Sequence, residues 1–158
     1  MLTDVRKAAN ITKYILLATL VAGVLDISLA CLNAYLSSGA KPSAVLRFVA
    51  SGIYGKTSFT GGEHFELIGL ALHFLITLAF VLLYPAIVEI NSRINKHWLI
   101  SGIVYGILIC LFMQFVVVPM SNIPQRPFAF FPIFKLVLIQ IVATGIPITY
   151  IFHRFNRD

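Results

Sequence analysis

Charge is what this chain has least of. Only 11% of its 158 residues are charged, twelve Lys and Arg against six Asp and Glu, while 59% are hydrophobic. Soluble domains average about 25% charged residues. So few polar groups cannot cover a water-facing globule, and a mean hydropathy of +0.91 points the same way. Cysteine is nearly absent too. Cys31 and Cys110 lie far apart in oily segments, with no CxxC or Cys/His spacing, which excludes a zinc site and a redox motif. Four histidines are too scattered for a bis-His haem, because only His73 is central in a hydrophobic block. Glu63, His64 and Glu66 stand together without a specific ligand spacing. No GxSxG, HExxH, P-loop or GxGxxG occurs. No cofactor, no metal and no catalytic set is therefore expected. The net charge of +6 does not imply nucleic acid, since no basic patch is interleaved with stacking aromatics. Lys and Arg instead flank the oily blocks, where headgroups receive them.

What is present is four such blocks, at about 14–36, 66–88, 98–118 and 133–152. Each has about 20 residues or more, enough at 1.5 Å per residue to cross about 30 Å of hydrocarbon. The expected fold is all-α and integral to a membrane, a single-domain antiparallel bundle of four transmembrane helices. The basic start before the first block imitates a signal peptide, but the oily run continues well past a signal core. Ser28 also stands where a lipoprotein cleavage site prefers Leu. In the first connection, Lys41-Pro42 opens a segment over about 42–55 with an apolar side and with Gly52 and Gly55 at its end, which predicts a short interfacial helix. Gly61-Gly62 marks a turn. The link 89–97 is short and polar, making the second and third spans antiparallel neighbours. Pro85 and Pro147 predict kinks. Trp98, Phe128, Phe130 and Phe131 fit interfacial anchors.

Four spans put both termini on one side. With that side cytoplasmic it holds Arg6, Lys7, Lys13, Arg93, Lys96, Arg154 and Arg157, against Lys41, Arg47, Lys56, Arg126 and Lys135 opposite. Seven against five is the sign expected for termini inside a bacterial cytoplasmic membrane.

Polar residues inside the blocks are the candidate site. Asp26 is the costliest, disfavoured at mid-membrane by about 2.5–3.5 kcal/mol on insertion scales, so it needs a partner, a proton or water. Depth arithmetic offers partners. Asp26 lies about 20 Å from the inner end of the first span, His73 about 18 Å, and Gln140 at a similar level on the fourth. Asp26, His73 and Gln140 are thus a candidate midplane cluster. Secondary candidates are Asn33, on the seven-residue stripe Thr12, Thr19, Asp26, Asn33; Thr77, on the His73 side of the second span; Gln114, nearer the outer face; and the loop residues Arg47, His64 and Glu66. Small residues share these stripes, as on packed faces of membrane helices. Such polar groups commonly serve as interhelical hydrogen-bond glue, worth about 0.6 kcal/mol on average.

The run VLRFVASGIYGKTSFTGGEHFELIGLALHFLI, with GVLD in the first span, YGI in the third and GIPI in the fourth, resembles a broad group of small bacterial inner-membrane proteins, distantly similar to the YagU family. The resemblance implies a four-helix bacterial membrane protein. It carries no established activity, although YagU-type proteins are associated with acid resistance. Where this chain has Gln140 a histidine is common in the group, and the departure counts against mechanisms needing a titratable group on the fourth span.

Three function classes follow. The first is a non-enzymatic accessory or assembly-forming subunit, a homo-oligomer or part of a larger membrane complex, with Gly102-xxx-Gly106 as a close-packing surface. The second is a proton- or small-solute-handling protein using Asp26 and His73. The third is an enzyme acting on a lipid or isoprenoid, opening laterally near Arg47, Lys56, Glu63, His64 and Glu66.

Overall fold

The computed structural model describes residues 2–123 and 130–155; Arg126, Phe128 and Arg157, and the side chains of Arg6, Lys7 and Phe130, lie outside what it describes. The elements in order are α1 (Leu2–Ser38), α2 (Pro42–Tyr54), α3 (Thr57–Thr60), α4 (His64–Ile90), α5 (Arg93–Lys96), α6 (Trp98–Phe112), a π-helical turn (Met113–Val117), α7 (Val118–Met120), α8 (Phe130–Gln140), a second π-helical turn (Ile141–Gly145) and α9 (Ile146–Phe155). There is no strand among the described residues. Four stretches are long and apolar enough to cross a membrane: Ile11–Ser38, His64–Ile90, Trp98–Met120 and Phe131–Phe155. The fold is an all-α four-helix membrane bundle with a short helix in its first loop.

Every span outruns its oily block. The polar residues before Tyr14 continue α1 because nothing among them breaks a helix, the first proline being Pro42. Glycine ends the first two helices. Gly39 takes φ 69° and its N–H reaches the Tyr35 carbonyl at 2.8 Å. Gly55 takes φ 58° and its N–H reaches Ser51 at 2.9 Å. Both occupy the left-handed region that a side chain disfavours, so the chain turns there and not earlier.

The prolines inside the spans are accommodated in two ways. Pro85 does not end α4, which runs unbroken to Ile90. Pro147 is preceded by the π turn Ile141–Gly145, and Pro119 by the π turn Met113–Val117. A proline has no N–H and crowds the carbonyl four residues back; widening the preceding turn moves that carbonyl aside.

Lipid tails are as apolar as leucine, so helices associate through close packing and hydrogen bonds and not through escape from water. The third and fourth spans meet along glycine. A Cβ on Gly102, Gly106 or Gly145 would run into backbone of the facing helix: Ile146, Ile141 and the Gly102–Gly106 stretch respectively. Gly102-xxx-Gly106 is therefore consumed inside the bundle, which corrects the expectation that it offers a surface for a second copy. One end of the bundle holds an aromatic cluster, with Tyr84 5.3 Å from Tyr105 and 5.7 Å from Phe152, and with Tyr14 5.0 Å from Phe155. The Tyr105 hydroxyl donates to the Phe80 carbonyl at 2.6 Å, tying α6 to α4.

Candidate functional site

Ala18 and Ala22 of α1 are fully buried, and where α1 meets α4 the ring of Phe74 lies on Gly23 where any side chain would stand. That close approach exposes the Gly23 carbonyl to α4, and His73 takes it: Nε2 is 2.9 Å from the Gly23 oxygen. A carbonyl only accepts, so Nε2 carries the hydrogen and donates it. The other ring nitrogen, Nδ1, faces Asp26 Oδ2 at 3.9 Å. This separation is longer than a hydrogen bond and within ion-pair reach. With one proton between Nδ1 and Oδ2 the pair has no net charge, the least costly condition for two titratable groups in hydrocarbon. Both side chains are mostly enclosed, His73 at 10% and Asp26 at 17% exposure. Cys110 is buried on α6.

The other candidates are placed as follows. Gln140 does not bond to the pair: its Oε1 accepts from the Thr144 hydroxyl at 2.7 Å, within its own span, and it makes no hydrogen bond to Asp26 or His73 among the described residues. Thr77 is buried beside His73, but its hydroxyl donates to the His73 carbonyl at 2.9 Å and so closes on its own helix. Asn33 is half-buried on the far half of α1, and Gln114 sits half-buried in the first π turn.

The loop residues form a separate, structural group. Arg47 of α2 meets Glu66 of α4 through Nε and Nη2, each 3.2 Å from Oε1. Its Nη1 also donates to the carbonyls of Phe59 at 3.2 Å and Gly61 at 3.1 Å. One guanidinium thus staples α2, the turn after α3 and the start of α4, its fork of donors matched to three acceptor groups. Beneath it Leu46 backbone rests on Gly69, where a Cβ would not fit. Asn122 pins the other end of α2, donating from Nδ2 to the Ile53 carbonyl at 2.7 Å and from its backbone N–H to Gly52 at 3.0 Å. His64 is exposed, with its ring 4.3 Å from that of Phe65. Among the described residues no three His, Cys, Asp or Glu side chains converge as a metal site would require.

Sequence reasoning missed the Gly23 carbonyl, because a backbone acceptor carries no residue signal. His153 also differs from a solvated end residue: Nδ1 lies 2.8 Å from the Asn95 carbonyl and the ring stacks 6.2 Å from Trp98. Two concavities lie on the outside of the bundle: a groove between α1 and α8, and a shallow one around Lys96–Ile100; neither of these two is lined by Asp26 or His73. Compared with protein-family models, with curated proteins and with solved structures, the chain matches none.

Proposed function

We propose that this protein is a non-enzymatic subunit of the bacterial cytoplasmic membrane, an accessory or assembly-forming element with both termini cytoplasmic. On this reading Asp26 and His73 clamp the first span to the second. One observation carries it: both groups turn into the α1–α4 contact, and the neighbouring third and fourth spans close on each other at backbone distance through Gly102, Gly106 and Gly145. A conduit needs a wet path at the level of its titratable groups; a clamp needs the reverse. The orientation rests on the seven-to-five distribution of Lys and Arg.

The test is the mass of the particle extracted from native membranes in mild detergent. An accessory or assembling subunit migrates in a particle several times its own 17.5 kDa, and Asp26→Asn leaves that particle intact. A monomer in the native extract would contradict the reading.

A second reading, proton handling, is favoured by the 17% of the Asp26 side chain that stays exposed and by two titratable side chains facing each other at 3.9 Å. It requires pH-driven flux in reconstituted vesicles that Asp26→Asn abolishes.

A further inference from the structure

The groove between the C-terminal half of α1 and α8 is lined by Leu29, Leu32, Asn33, Leu36, Lys135 and Ile139, with Ser37 at its mouth, and has a volume of about 280 Å³. Its composition changes along its length. Leu29 and Ile139 lie at the deep end, because α1 rises toward Ser38 while α8 descends from Phe130. Lys135 and Ser37 lie at the shallow end, with Asn33 one helical turn below Ser37. From Leu29 to Ser37 the groove runs about 12 Å.

Its polar groups are uncommitted. Among the described residues Lys135 has no carboxylate partner; its ammonium sits 4.8 Å from the centroid of the Phe131 ring, one turn earlier on the same helix. Neither the Asn33 amide nor the Ser37 hydroxyl makes a side-chain hydrogen bond among the described residues. Of the acidic residues at this end of the bundle, Glu66 is held by Arg47. The result is a cation with two free hydrogen-bonding side chains above a strip of Leu and Ile, in a helix pair that crosses a membrane. That order matches the order of groups in a phospholipid, phosphate above acyl chain. A lysine at headgroup depth adds attraction for a net negative headgroup.

We propose that this groove binds an anionic phospholipid, with its phosphate on Lys135, Asn33 and Ser37 and one acyl chain along Leu36, Leu32, Leu29 and Ile139. The test is native mass spectrometry of the full chain in detergent, titrated with phosphatidylglycerol or phosphatidylcholine of identical chains. The expected result is phosphatidylglycerol occupancy about fivefold above phosphatidylcholine, the effect of one lysine near the surface. Lys135→Gln brings the two to the same level. Ser37→Asp, at an exposed position, does the same by giving Lys135 a carboxylate. Leu32→Trp, which fills the groove without touching its charge, lowers both occupancies together. Equal binding of the two lipids by the wild-type chain would overturn the proposal. So would a preference that survives both charge variants, or displacement of the lipid by free glycerol phosphate.

Discussion

Adding one methyl group at Gly106 is the sharpest perturbation the bundle offers. A Cβ there would stand 2.5 Å from the Ile141 Cα, 2.8 Å from the Ile141 nitrogen and 2.9 Å from the Gln140 oxygen. Carbon atoms rest at about 3.5–4.0 Å, so the shortfall is about 1 Å. The obstacle is backbone of the second π turn and has no rotamer to escape into. The third and fourth spans must therefore part by about that distance. A gap of that size forfeits a quarter to a half of each dispersion contact along the seam. With the usual cost of overpacking, Gly106→Ala should destabilise by about 1–3 kcal/mol. Gly145→Ala meets the Gly102 carbonyl oxygen first and then Gly106, its Cβ 2.7 Å from the Gly106 nitrogen and 2.9 Å from its Cα, and should cost at least as much. The separation that relieves one methyl relieves the other, so the double variant should cost less than the sum by about 0.5 kcal/mol or more. The assay is unfolding in mixed micelles of increasing dodecyl sulfate, followed by the fluorescence of Trp98. That residue is the only tryptophan, and its ring lies 5.0 Å from Tyr150, so it reports the α6–α9 contact. Two alanine variants as stable as the wild type, with a changed oligomeric state, would refute the reasoning and return the glycine face to the outside.

Two further substitutions probe the site and the loop. Asp26→Asn keeps a polar group of the same shape facing Nδ1 of His73 and should change stability by under about 0.5 kcal/mol, whereas Asp26→Leu removes the polar group altogether and should cost about 1–2 kcal/mol by the same dodecyl sulfate titration; equal costs would contradict a polar clamp. Arg47→Met removes the guanidinium that joins α2 to Glu66 and to the carbonyls of Phe59 and Gly61. It should cost about 1–3 kcal/mol and, in hydrogen exchange, deprotect residues 57–66 ahead of the spans; uniform protection across the chain would argue against the staple.

The four spans were legible because a membrane demands about 20 apolar residues in a row and little else imitates that. The helix in the first loop was legible from Lys41-Pro42 and from Gly55. The level shared by Asp26 and His73 was legible from rise per residue alone, and the two are in reach of each other at 3.9 Å. Rise gives depth but not rotation, which is why Gln140 was grouped with them and instead bonds to Thr144. A small-xxx-small stripe likewise announces a close neighbour without saying which, and Gly102 and Gly106 are answered by Gly145 of the same chain. Arg47 read as a headgroup contact because its partners are a glutamate nineteen residues away and two carbonyls, invisible until the turn at Gly61 folds back. Neither the unbroken passage of α4 through Pro85 nor the π turns before Pro119 and Pro147 could be read from proline alone, because the backbone has more than one way to accommodate a missing N–H.

The most direct measurement is proton flux. The wild-type chain and Asp26→Asn are each reconstituted into vesicles containing a trapped pH-sensitive dye, and a pH gradient is imposed. A clamp inside a closed bundle predicts that both collapse the gradient no faster than protein-free vesicles. A wild-type rate well above that background, lost in Asp26→Asn, would contradict the account and make the Asp26–His73 pair a proton path.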